Sequence, residues 1–123
     1  MVKALKIYVA GPYTAPTAGQ RLTNVNAAID AGLAVFLKGH FPHVPHLTHF
    51  VDERANEIGV RLRWEDYMRW DMPWVAACDA LLYLSGSRGA DLELQTAKAA
   101  GKLIFYSLDE VPQVDEGTGE RPA

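Results

Sequence analysis

Residues 84–102 concentrate the chemically suggestive side chains of this sequence. An apolar run leads into a loop of small residues, Ser85, Gly86, Ser87, Gly89 and Ala90, and the loop opens a helical pattern with Glu93 in its first turns. A helix start collects unpaired N–H groups at the positive end of the helix dipole, so anions are favoured there. Glu93 is therefore either a reactive carboxylate or a first-turn acid that steadies its own helix, and position alone does not separate the two. Leu92 and Leu94 beside it favour partial burial, and the small loop lets a ligand approach the backbone closely. Ser87, Arg88 and the amides around Gly89 suit a phosphate or a sugar hydroxyl. The loop is no Walker A sequence, and the Gly11-Pro12 turn is no dinucleotide fingerprint, so no cofactor is implied.

Two more groups can serve such a carboxylate. Tyr8 lies within a short apolar run whose alternation puts Tyr8 and Ala10 on one face and Ile7 and Val9 on the other. A strand tyrosine is most often core, but if the first and third strands are neighbours its hydroxyl reaches Glu93. Asp71 precedes Met72-Pro73, which reads equally well as a helix cap and as a functional acid. Asp79 opens a strand and reads as structural. His40, His43, His46 and His49 recur every third residue, but Pro42 and Pro45 break any single helix and strand alternation scatters the set, so no metal site is expected. Trp64, Trp70 and Trp74 offer a wall for a flat ring, or a core or subunit contact.

The elements that must position these groups follow from periodicity. Residues 5–10 form a buried strand closed by Gly11-Pro12, followed by a loop through Tyr13, Thr14 and Pro16. Leu22, Val25, Ile29, Leu33, Phe36 and Leu37 give residues 20–38 the spacing of an amphipathic helix, stopped by Gly39. Residues 41–45 form a short second strand limited by its prolines, and a polar helical run continues to about Ile58. Residues 61–70 read as helix, Asp71 as the cap of a new one over 74–78, residues 80–84 as the third strand and 102–107 as the last. Strands alternating with helices predict an α/β three-layer sandwich with a mostly parallel sheet, whose ligands bind beyond the carboxyl ends of the strands. The loops 11–16 and 85–90 lie at that edge.

The chain has 123 residues, 49% hydrophobic and 22% charged, enough for one core. Residues 1–111 are expected to form a single domain and 112–123 an acidic, disordered tail. The formal net charge is −3. From Asp109 onward five acids stand against Arg121, a net of −4, which leaves +1 elsewhere and no footprint for a nucleic-acid polymer. The one cysteine, Cys78, forbids an internal disulfide, and no stretch is long enough to span a bilayer. A cytoplasmic protein with a small-molecule partner is the expectation. The aromatic segment 61–74 is rich for a surface, which predicts a homo-oligomer.

Lys6-Ile-Tyr-Val-Ala-Gly-Pro-Tyr13, Asp71-Met-Pro-Trp74, Cys78-Asp79-Ala80 and Ser87-Arg-Gly-Ala-Asp-Leu-Glu93 together give a sequence that resembles the nucleoside 2-deoxyribosyltransferase superfamily. That superfamily includes the 2'-deoxynucleoside 5'-monophosphate N-glycosidases, and the resemblance covers nearly all but the tail. It implies a flavodoxin-like or Rossmann-like fold, with Glu93 as a nucleophile on C1' of deoxyribose, Tyr8 positioning it and Asp71 as an acid near the nucleobase. It also implies a deoxynucleoside or deoxynucleotide bound by Gly11, Pro12, Tyr13, Ser85, Ser87, Arg88, Gly89 and Trp74. The transferases usually carry an acid six residues before the nucleophile, and Ser87 stands there instead. The monophosphate N-glycosidases place a phosphate-holding serine at that position, so Ser87 favours a 5'-phosphate. The rival expectation is a non-catalytic nucleotide-binding or sensor module on the same fold. A histidine-based metal hydrolase is the weaker third.

Overall fold

The structure, a computed structural model, describes residues 2–115. Its centre is a four-stranded, all-parallel sheet in the order β2-β1-β3-β4, made of β1 (Lys6–Ala10), β2 (Phe41–His43), β3 (Ala80–Tyr83) and β4 (Leu103–Phe105). The central strands β1 and β3 are apolar on both faces because helices cover both. Around the sheet run α1 (Ala18–Leu37), α2 (Thr48–Glu57), α3 (Trp64–Ala77) and α4 (Arg88–Ala99). This is the expected α/β three-layer sandwich, in the strand order of flavodoxin-like sheets. No helix among the described residues is long and apolar enough to cross a membrane.

Strand alternation divides the core in two. Tyr8 and Ala10 face α3 and α4 and pack with Val75, Cys78, Leu81, Ala90 and Ala97. Ile7 packs on the other face with Val35, Ala80, Leu82 and Val111. Between β1 and β3 the chain direction around the sheet reverses. A crevice opens at such a switch point beyond the carboxyl ends of the strands, where the loops after β1 and β3 lie.

The second and last strands are shorter than the 41–45 and 102–107 expected, Pro45 opening a 3-10 turn over Pro45–Leu47, and two helices depart from the sequence expectation. α1 begins at Ala18, because Thr17 and Gln20 form a capping box in which Gln20 N donates to Thr17 Oγ1 at 3.1 Å and Thr17 N to Gln20 Oε1 at 3.2 Å. Its inward face is Val25, Ala28, Gly32 and Val35, whereas Leu22, Leu33, Phe36 and Leu37 are exposed. Small residues face inward because the helix runs close to the chain after β2: a Cβ on Gly32 would lie 2.6 Å from Val44 Cγ2. The second departure is α3, which continues unbroken through Asp71, Met72 and Pro73. Pro73 and Arg69, whose carbonyl it leaves without its intrahelical donor, are both exposed, so water can satisfy that carbonyl. Asp71 therefore caps nothing; it is a buried mid-helix acid.

Residues 112–115, assigned to the tail by composition, are held to the domain. His40 Nδ1 accepts from Leu5 N at 3.1 Å, and its Nε2 donates to Pro112 O at 2.7 Å. Val114 N donates to Lys38 O at 2.8 Å. The Lys38 ammonium caps the carbonyls of Leu108 and Val111 at 2.9 and 2.8 Å. Val2 N donates to Asp115 Oδ2 at 2.7 Å, and Asp115 N donates back to Val2 O at 3.2 Å. The rest of the predicted tail, residues 116–123, lies outside the described residues.

Candidate active site

The register of β1 on β3, with Tyr8 opposite Leu81, aims the Tyr8 side chain at the helix that follows β3. α4 starts at Ser87, whose Oγ accepts from Ala90 N at 3.1 Å and whose carbonyl accepts from Asp91 N at 2.8 Å. This start places Glu93 on the inward face of α4 between Ala90 and Ala97. The Tyr8 hydroxyl donates to Glu93 Oε2. Asp71, from α3, lines the same cleft as Glu93, and the two residues are only 8% and 5% exposed.

Burial sets the acid–base character of this group. It pushes Glu93 up to about 8; the Tyr8 hydrogen bond acts against the rise and the Asp71 charge adds to it. Burial pushes Asp71 up to about 7. Tyr8 is held far above the ordinary phenol range, first by burial and then by the charges of Glu93 and Asp71, so it remains a hydrogen-bond donor. Both carboxyls lose their protons near neutrality, so the pair passes through a singly protonated state; burial favours the proton on Glu93, and the arrangement that joins a nucleophile to an acid is the form with the proton on Asp71.

The cleft has a volume of about 500 Å³. Of the residues singled out in the sequence, Gly11, Tyr13, Ser87, Arg88, Gly89, Asp71 and Glu93 line it, with Tyr8 beneath. Pro12, Ser85 and Trp74 do not. The Trp74 ring stacks on His43 at 4.9 Å and 12°, and His43 stacks on Tyr8 at 5.5 Å and 30°. Trp74 therefore supports Tyr8 from behind instead of facing a ligand. Ser87 caps the helix, but a hydroxyl that accepts a cap bond keeps its own proton to donate. Arg88 stacks its guanidinium 3.9 Å above Trp64, so that tryptophan alone of the three walls the cleft.

The four histidines serve separate ends. His40 ties the strand entry to Pro112, and His43 backs Tyr8. His46 Nε2 donates to the Gly11 carbonyl at 3.0 Å; burial lowers its pKa, with the Gly11 and Pro12 carbonyls opposing. His49 bonds the Tyr13 hydroxyl through Nδ1 at 2.9 Å and Glu53 Oε1 through Nε2 at 3.1 Å. Among the described residues no three His, Cys, Asp or Glu side chains are grouped to hold a metal ion.

Residues 5–106 match a family described as a domain of unknown function, DUF4406. The chain belongs to this family. No curated protein matches the sequence. In this DUF4406 domain, the wall that sequence reasoning missed is Asp52, Tyr67 and Met68. Tyr67 OH donates to Asp52 Oδ1 at 2.7 Å across 15 residues of sequence, a spacing that carries no signal before the chain is folded.

Proposed function

We propose that this chain cleaves the N-glycosidic bond of a 2'-deoxyribonucleoside 5'-monophosphate or its nucleoside through a covalent deoxyribosyl ester on Glu93. This is the chemistry of the nucleoside 2-deoxyribosyltransferase superfamily that its motifs resemble. The observation that carries the reading is the Tyr8–Glu93 hydrogen bond in a cleft shared with Asp71, all three drawn from separate elements.

In the first step a Glu93 carboxylate oxygen bonds to C1' as the C1'–N bond breaks, and Asp71 gives its proton to the departing base. Tyr8 holds the carboxylate in line and supports whichever oxygen carries charge. In the second step a second base or water attacks C1', the ester bond breaks, Glu93 leaves as carboxylate, and Asp71 takes the acceptor's proton. Without an electron-withdrawing 2'-hydroxyl the oxocarbenium-like transition state forms more readily, which fits a site with few catalytic groups. Ser87, the first N–H groups of α4 and Arg88 favour the 5'-phosphate. We further propose that α3 packs on a second copy of the chain, since Trp70 and Trp74 are 47% and 46% exposed.

The test is to incubate the protein with deoxynucleosides and with their 5'-monophosphates, each with and without a second free base, and to separate the products by chromatography. Release of base into water marks a hydrolase, and a new nucleoside or nucleotide marks a transferase. Glu93→Ala is expected to lower turnover at least about a thousandfold. Absence of turnover on every substrate, or full activity in Glu93→Ala, overturns the proposal.

A further inference from the structure

We propose that Asp52 is a specificity residue that reads an amino group on the edge of the substrate's base; this rests on the proposed nucleotide chemistry for the identity of the ligand. Trp64 and Tyr67 lie three residues apart on α3 and so share a face, and both line the cleft. Arg88 stacks over Trp64 on one side, and Tyr67 holds Asp52 on the other. The rim therefore has a donor pole at Arg88 and the start of α4, and an acceptor pole at Asp52, with a flat aromatic and thioether wall of Trp64, Tyr67 and Met68 between them. An anionic group belongs at the first pole. A flat ring fits the wall, and its edge meets the second.

The hydrogen-bond inventory decides what that edge carries. An ionised carboxylate only accepts. Tyr67 fills Oδ1 at 2.7 Å and thereby fixes the carboxylate plane, which leaves Oδ2 with no protein donor among the described residues. The other α2 groups in the cleft are already engaged: the Thr48 hydroxyl donates to Pro45 O at 2.8 Å, and His49 accepts from the Tyr13 hydroxyl and donates to Glu53. Asp52 Oδ2 thus awaits a donor from the ligand, and on a nucleobase edge the exocyclic amino group of adenine, cytosine or guanine supplies one. Tyr67 is the positioning residue that aims it.

The test measures binding by titration calorimetry in a Glu93→Gln background, so that no substrate is consumed. Three pairs of deoxynucleoside 5'-monophosphates are compared, adenine against unsubstituted purine, cytosine against 2-pyrimidinone and guanine against hypoxanthine, each pair differing by the amino group alone. At least one amino-bearing member is expected to bind about 10- to 100-fold more tightly than its partner, the range of a charge-assisted hydrogen bond. Asp52→Asn, whose amide oxygen can keep the Tyr67 bond while its NH₂ faces the ring, is expected to bring that ratio close to one. Tyr67→Phe is expected to reduce the ratio while leaving phosphate-dependent binding in place. Equal binding within all three pairs, or an unchanged ratio in Asp52→Asn, overturns the assignment. So does a change confined to the preference for a 3'-hydroxyl over a 3'-deoxy sugar. That binding preference, found together with a wild-type protein that turns over none of these nucleotides, refutes the glycosidic reaction and leaves the role of Asp52 standing.

Discussion

Glu93→Gln is expected to stabilise the protein in alkaline buffer while removing its proposed activity. In the native state burial raises Glu93 from its ordinary 4.5 to about 8, whereas the unfolded chain ionises it at the ordinary value. A carboxyl shifted upward adds stability that is fully present below the unfolded pKa and is lost as pH climbs through the folded one. At about 1.4 kcal/mol per pH unit, the span from 4.5 to about 8 sets a ceiling of roughly 5 kcal/mol on that loss. Water in the cleft and local relaxation bring the expected effect down to roughly 1–3 kcal/mol. Glutamine has nearly the same shape, accepts the same Tyr8 hydrogen bond and never ionises. Urea denaturation of both proteins at pH 5 and pH 9 measures the difference. The variant should match the wild type within about 0.5 kcal/mol at pH 5 and exceed it at pH 9. A variant that is no more stable at pH 9, or one shifted equally at both pH values, refutes the buried, proton-holding carboxyl.

Asp71 and Glu93 together should give kcat/KM a bell-shaped pH profile with its maximum between about 7 and about 8, the window in which the pair holds one proton. Asp71→Asn removes the descending alkaline limb, leaves an ascending limb set by Glu93 alone, and lowers the maximum about 100-fold or more; a profile whose alkaline limb survives excludes Asp71 as the proton donor. Light scattering should return a dimer or larger assembly for the wild type and a smaller species for Trp70→Glu, and a monomeric wild type contradicts the subunit contact.

The parts of the site that follow local rules were legible before the fold. Strand alternation put Tyr8 on the face that meets α4, and the small loop ahead of a helix marked Ser87 and Glu93. Asp71 was visible as an acid but not as a buried one: the Asp-Met-Pro sequence imitates a helix start, and only tertiary packing carries α3 through Pro73. In α1 the large apolar residues traced a stripe that turned out to face outward, because close approach to Val44 selects small residues inside. Asp52 and Tyr67 left no trace, since α2 buries only Ala55 and its place beside the cleft depends on contacts remote in sequence.

The mutual hydrogen bonds of Val2 and Asp115 bear on how this domain can be rebuilt. They lie near the entry to β1, at the amino ends of the strands, whereas the cleft opens at the carboxyl ends. A few residues can therefore bridge position 115 to position 2, and the chain can be reopened at the exposed turn around Gly101, where an added side-chain carbon meets nothing within 4 Å. Such a circular permutant keeps β1, β3 and the start of α4 uncut, and with them Tyr8, Asp71 and Glu93. The same adjacency makes the amino-end side of the sheet, opposite the cleft, the place to join this domain to a host protein, with both junctions side by side and the ligand entrance unobstructed.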